Sequence, residues 1–153
     1  MRTLVALGLV LASAFAPAAQ KARKHAAPVR IFVTTAQSPD AAGSEEEKGR
    51  LEAVAILQDM LKGKSQFALV QTAGEAQVVV EVLNREERSM AQGGFGGASL
   101  TKFSETIVRV KVTAGADQSE LKGVGQGSWK SAVKDLVERL SKWVNNHVIP
   151  GSS

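Results

Sequence analysis

The chain contains no cysteine, no tyrosine and only two histidines, His25 and His147, among its 153 residues. The lack of cysteine excludes a thiol nucleophile, a cysteine-ligated zinc site, an iron–sulfur cluster, a disulfide framework and a lipid-modified cysteine. Neither histidine has neighbours at metal-ligand spacing, so we expect no metal and no cofactor. Neither is accompanied by a serine and an acid in a pattern typical of nucleophilic catalysis, and we predict that the protein is not an enzyme.

A large excess of one charge is also missing. The chain has 19 lysines and arginines against 15 acids, a net charge of +4. Nucleic-acid-binding domains usually carry a clustered basic face, so we expect no nucleic-acid partner. The 44% apolar content excludes a disordered tail, and the length is that of one domain.

The longest apolar run lies at the N-terminus. Arg2 precedes twelve apolar or small residues, 4–15, and small residues then surround Ala18. This order is typical of a secretory signal peptide, and the run is shorter than the about 20 residues that span a bilayer. We therefore predict a signal peptide over residues 1–18, cleavage near Ala18, and a periplasmic or extracellular location.

A short basic arm, residues 19–28, follows the predicted cleavage site. Its cations Lys21, Arg23 and Lys24 can make weak contact with an anionic membrane surface, at about 1 kcal/mol per cation. A solvated linker is the simpler interpretation of the arm. After it we predict one α/β domain over residues 29–148 and a disordered tail over residues 149–153.

The domain alternates between strand and helix patterns. Strands are predicted by β-branched, alternating segments at 29–35, 67–70, 77–83, 103–113 and, as an edge piece, 120–124. Helices are predicted from Ser44 to Lys62 and from Ser128 to His147, each opened by a capping serine. The apolar stripe of the first helix is Leu51, Val54, Leu57, Met60 and Leu61. Because each helix must bury one stripe, the sequence predicts an α+β fold, a two-layer sandwich in which both helices cover one face of a mixed four- to five-stranded sheet.

Three segments of the domain together resemble a known type of module. These are VRIFVTT, FALVQTAGEAQVVVEVLNRE and LKGVGQGSWKSAVKDLVERLSKWV, which lie between Val29 and Val148. They resemble bacterial envelope domains of the TolB N-terminal and CsgG-like type, in which a strand and a helix precede a Phe-x-Leu-Val segment and an Ala-x-Val-Val-Val strand. The resemblance carries no catalytic residue. It implies a binding or assembly role with an envelope protein as partner.

The predicted outer sheet face is the first candidate binding surface. It would show Phe32, Val79, Leu83 and Ile107 beside the charged residues Arg30, Glu81, Arg109 and Lys111, and a mixed apolar and charged face can hold a partner protein. An ordinary half-solvated face is the alternative interpretation. The acids Glu86 and Glu87, between Arg85 and Arg88, are expected to form a solvated charge cluster.

The long connection 84–102 is the second candidate. It contains the run Gly93-Gly94-Phe95-Gly96-Gly97, in which Phe95 could insert into a partner. A hairpin tip with no binding role is the alternative.

A glycine-rich turn supports a different function. Gly125, Gly127, Ser128 and Lys130 lie between a strand and a helix N-terminus, where backbone N–H groups can bind an anion. This turn would suit a small-ligand or anion-binding protein, with or without enzymatic activity. The spacing matches no nucleotide-binding motif, so a tight turn with Ser128 as the helix cap is the favoured interpretation.

Overall fold

A computed structural model describes residues 27–36, 43–92 and 101–149, with the backbone alone for residues 90–92 and 101–103. Five strands and two α-helices follow one another in the order β-α-β-β-β-β-α, with a 3-10 turn at Ala73–Glu75 before the third strand. The strands are β1 Val29–Thr35, β2 Phe67–Leu69, β3 Val78–Gln92, β4 Thr101–Ala114 and β5 Asp117–Gln126. The helices are α1 Glu45–Lys62 and α2 Trp129–His147.

The strands form one mixed sheet in the order β2-β1-β3-β4-β5. β1 pairs in parallel with β2 and β3, whereas β4 runs antiparallel to β3 and β5. β1, β3 and β5 therefore point the same way. Since α1 follows β1 and α2 follows β5, both helices begin at the same end of the sheet.

One face of the sheet is apolar because its side chains alternate. Val33, Val80 and Val112 lie in register across three strands and are buried, and the pair Ile31 and Val78 continues this layer. Leu57 of α1 and Leu136 of α2 belong to the same core cluster. Both helices thus cover one face, and the predicted α+β fold is confirmed.

The strands of the central hairpin are longer than the sequence pattern predicts. We expected a polar connection over residues 84–102, but β3 continues to Gln92 and β4 begins at Thr101. The prediction was wrong because alternation breaks at Leu83: Val82 pairs with Val110 and Asn84 with Arg109, which leaves Leu83 as a β-bulge. Beyond the bulge, the pairing of β3 with β4 resumes and extends further along β4 than the pairing of β4 with β5.

The buried stripe of α1 is offset from the predicted one. Arg50, Ala53, Leu57 and Leu61 face the core, whereas Leu51 is 54% exposed and Val54 is half-buried. The small Ala53 faces the core. The helix is therefore rotated about its axis by about one residue from the orientation that its largest apolar side chains predict. Both predicted caps are present, since Ser44 accepts a hydrogen bond from Glu47 N–H and Ser128 from Ser131 N–H.

The predicted signal peptide and most of the basic arm lie outside the described residues, as do residues 150–153. Ile149, which we assigned to the tail, is half-buried and packs against the core. Within the described ranges, neither helix combines the length and the apolar character needed to cross a bilayer.

Candidate functional site

The sheet face opposite the helices is the surface left uncovered by α1 and α2. We call it the outer sheet face. Phe32, Val79 and Thr113 are register neighbours on this face. Glu81, Lys111 and Glu120 are register neighbours two residues further along β3, on the same face. The sheet therefore presents a buried aliphatic layer on one side and a mixed surface on the other.

Three of the predicted partner-binding residues form an apolar patch on this face. Phe32 of β1 is the register neighbour of Val79 of β3, and both are half-buried. The bulge residue Leu83, also half-buried, follows Val79 along β3. We refer to Phe32, Val79 and Leu83 as the outer apolar patch. Side chains on this patch can be touched from outside without any movement of the helices.

Ile107 does not belong to this accessible patch. It lies on β4 between its register partners Glu86 of β3 and Val124 of β5, and it is only 3% exposed. β4 is a central strand, so residues on both neighbouring strands can pack against the isoleucine. Ile107 thus cannot serve as a contact residue in this conformation, contrary to our expectation.

A charge network lies beside Ile107. Arg109 contacts Glu86 and Glu120 at 3.4 Å each, so one guanidinium links β3, β4 and β5. Glu86 also accepts hydrogen bonds from Arg88 at 2.8 Å and Asn84 at 2.9 Å. The Arg88 hydrogen bond is the main reason that the pKa of Glu86 is lowered, with Arg109 and Asn84 acting in the same direction against desolvation. The charges of this region largely satisfy one another.

Arg85 lies on the opposite side of the sheet from Glu86. The bulge shifts the alternation, so Arg85 pairs in register with Val108 and faces the helices. Its guanidinium is 3.8 Å from the ring centroid of Trp129 and forms an ion pair with Glu52. The solvated cluster predicted for residues 85–88 is therefore divided between the two faces, and Arg85 ties β3 to both helices.

The glycine-rich turn brings α2 against β5. A Cβ on Gly123 would lie 2.8 Å from the Leu136 nitrogen, and one on Gly125 would lie 2.9 Å from the Ala132 Cα and from the Ser128 carbonyl oxygen. Gly127 has a φ of +69°, which favours glycine. Close packing and the turn thus account for these glycines. The predicted anion site at Gly125, Gly127, Ser128 and Lys130 stays a prediction.

Two polar residues that the sequence did not single out hold this turn. The buried Thr106 hydroxyl lies 3.0 Å from the Gly125 carbonyl oxygen and 2.9 Å from that of Ser128. Asp135 accepts hydrogen bonds from the Val124 amide at 3.0 Å and from Arg139 at 2.9 Å. Only the Asp135–Arg139 spacing of four could have been noticed in the sequence.

Phe95, the remaining predicted contact residue, lies outside the described residues, as do Lys21, Arg23 and Lys24. In the part of the chain that the structure describes, no three histidine or acidic side chains converge on a position that could hold a metal ion.

No protein-family model matches the chain, and no curated protein matches it. The fold resembles that of a bacterial lipoprotein. Against the crystal structure of rare lipoprotein B from Shewanella oneidensis the TM-score is 0.50, with 10% sequence identity, over 76% of this chain and 98% of that one. The solution structure of an uncharacterized lipoprotein B from Nitrosomonas europaea gives a TM-score of 0.47, with 11% identity over 78% and 88%. At this identity the likeness concerns the fold alone.

Proposed function

We propose that this protein is an exported, non-enzymatic binding module of the bacterial envelope, and that it holds an envelope protein on its outer sheet face. The observation that carries this proposal is the position of both helices on one face. It leaves Phe32, Val79 and Leu83 as an apolar patch on the other face. Apolar patches bordered by polar residues are typical of protein interaction sites.

The charges on the outer sheet face favour a protein as the partner. Lys111 lies between Glu81 and Glu120 in register, and Arg109 pairs with Glu86 and Glu120. Acids and cations are mixed on the face and nearly equal in number, so it presents little net positive charge to a nucleic acid or an anionic membrane. A polar rim around a small apolar centre is instead the ordinary composition of a protein interface.

Two further observations support export to the envelope. The N-terminal residues have the order of a signal peptide, and the fold neighbour from Shewanella oneidensis is named a lipoprotein. The TolB-like and CsgG-like resemblance of the sequence agrees with the same location. The proposal assigns to this chain a binding or assembly role and no chemical step.

Photo-cross-linking in the producing bacterium tests the proposal. A photoreactive residue is introduced at Arg30, which is exposed beside the outer apolar patch, or at Leu51, which is exposed on α1. We expect a discrete adduct with one envelope protein from position 30 and none from position 51. Equal adducts of the same envelope protein from both positions, or no adduct from position 30, would contradict the proposal.

A pair of substitutions then measures the contribution of the patch. Phe32→Asp places a charge in the apolar contact, and we expect it to weaken binding of the cross-linked partner about tenfold, or roughly 1.4 kcal/mol. Leu51→Asp makes the same change on α1 and should leave binding unaltered. Thermal unfolding of both variants verifies that they are folded. If Phe32→Asp is folded and binds normally, the patch is not the interface.

A further inference from the structure

A groove runs between α1 and α2 on the solvent side of the helix pair. It consists of three adjoining cavities of about 430, 190 and 330 Å³. The middle cavity shares Lys64 and Glu138 with the first and Met60 with the third, so the three form one channel. We call this channel the interhelical groove. It lies on the opposite layer from the outer sheet face.

The floor of the interhelical groove is apolar. Ile56 and Met60 of α1 are half-buried, and Val137 of α2 is buried behind them. Ile56 and Met60 do not lie on the stripe of α1 that faces the sheet, which is Arg50, Ala53, Leu57 and Leu61. Both side chains pack against the edge of the core and keep an exposed part in the groove, which a ligand could cover.

The walls of the interhelical groove are rich in lysine. Lys130, Lys134 and Lys142 follow one another at spacings of four and eight along α2, and Lys64 stands at the end of α1. Within the described residues none of these four lysines forms an ion pair. Asp59 and Glu138 are the acids among the lining residues, so four cations face two anions. The groove therefore attracts negative charge.

We propose that the interhelical groove binds an acidic amphipathic helix of a partner protein. Lys130 and Lys142 are about 18 Å apart along α2, at a rise of 1.5 Å per residue, which matches three turns of a docked helix. Such a helix would place its apolar side chains on the half-buried Ile56 and Met60 and its carboxylates beside the lysines, the usual helix-in-groove arrangement.

Other occupants fit the groove less well. A flat membrane surface would meet the lysines but could not reach a floor that lies between two helices. The chain's own basic arm, with Lys21, Arg23 and Lys24, has the same charge sign as the groove. An elongated acidic segment with an apolar side satisfies both the floor and the walls.

Binding of a synthetic peptide to the full exported chain tests this proposal. The probe is a fluorescent helix of about 18 residues with leucines on one face and glutamates beside them, and its partner probe carries lysines in place of the glutamates. We expect saturable binding of the glutamate probe, measured by fluorescence anisotropy, with an affinity that falls as salt rises. The lysine probe should not bind.

Matched variants locate the binding site. Lys130→Glu/Lys134→Glu should weaken binding of the glutamate probe at least about tenfold, and Met60→Glu should weaken it as well. Arg30→Glu/Lys122→Glu makes the same charge change on the outer sheet face and should leave the affinity unaltered. All substituted residues are exposed or half-buried, and thermal unfolding verifies each variant.

The same measurements can overturn the proposal. Absence of glutamate-probe binding, equal binding of the two probes, or normal binding to Lys130→Glu/Lys134→Glu would each exclude the groove as a helix site. Phosphatidylglycerol vesicles are the lipid arm of the test: binding to the vesicles without binding to the glutamate probe would assign the lysines to a membrane surface instead. Because Lys130→Glu/Lys134→Glu and Met60→Glu change only the helix layer, the results with these variants leave the proposed function of the outer sheet face untouched.

Discussion

The carboxylate of Asp135 accepts a hydrogen bond from the backbone N–H of Val124 at 3.0 Å. Val124 belongs to β5, an edge strand of the sheet, whereas Asp135 lies about two turns into α2 beyond the Ser128 cap. The helix thus satisfies a backbone donor that the ladder leaves without a strand partner. An edge strand with free donors can pair with other chains, so Asp135 also protects this edge from association.

The hydrogen bond between Asp135 and Val124 should make the stability of the fold depend on pH. Burial raises the pKa of Asp135, but hydrogen bonds from the Val124 amide and Arg139, together with the charges of Arg139 and Lys142, outweigh it, and the net pKa is lowered. A carboxyl group whose pKa is lowered by folding stabilises the protein above its unfolded pKa of 3.8, and this contribution is lost as pH falls through the folded pKa. We expect Asp135→Asn to remove part of the acid sensitivity below about pH 4, measured by urea unfolding across pH 7 to 2. Identical pH profiles for the two proteins would contradict this role.

Gly123 and Gly125 should not tolerate even a methyl group. A Cβ at either position would overlap backbone atoms of α2, which cannot yield as a flexible side chain could. We expect Gly123→Ala or Gly125→Ala to destabilise the fold by about 2–3 kcal/mol, the upper range for overpacking. Gly74→Ala is the matched control, since nothing lies within 4 Å of its Cβ position. Chemical denaturation of the three variants measures the difference, and equal midpoints would show that α2 can move away from β5.

The contact of Arg85 with Trp129 should stabilise the helix layer. Removal of the guanidinium by Arg85→Ala takes away the cation–π contact and the ion pair with Glu52, and we expect a loss of about 1–2 kcal/mol. Arg88→Ala, which removes a more exposed arginine from the same strand, should cost less than about 0.5 kcal/mol. Urea unfolding monitored by tryptophan fluorescence checks both values. A larger effect at Arg88 than at Arg85 would reverse our interpretation of the two sites.

The glycine run 93–97, between β3 and β4 in the sequence, should contribute little to stability. In the described residues the β3–β4 pairing extends as far as Gln92 and Thr101, and the pairs up to this point do not involve residues 93–97. We expect deletion of residues 93–97 to change the melting temperature by less than about 2 °C, as measured by calorimetry. A fall of several degrees would mean that the tip packs against the domain.

The sequence predicts those parts of the fold that depend on local pattern. The alternating valines of β3 and β4, the capping serines Ser44 and Ser128, and the placement of both helices on one face all follow from periodicity and turn chemistry. These features depend on each segment alone, and a single sequence suffices to recognise them.

The remaining features depend on how segments meet. The burial of Ile107 requires its neighbours Glu86 and Val124, and the position of Arg85 requires the shift at Leu83. The rotation of α1 about its axis, which buries Ala53, likewise depends on the shape of the sheet beneath it. Each of these is set by register or packing between distant residues, which a pattern of side chains along one strand or helix does not contain.

The extra residue at Leu83 divides β3 into two parts that differ in their pattern of apolar side chains. Before it, every second residue must be apolar to fill the core. After it, the residues of β3 on the helix side, Arg85 and Glu87, are polar. Insertion of two residues after Leu83 would lengthen β3 and leave each following side chain on the same face of the sheet. A single added residue would exchange the sides of Arg85 and Glu86, separating Arg85 from Trp129 and Glu86 from Arg109. We therefore expect length changes in β3 after Leu83 to involve even numbers of residues.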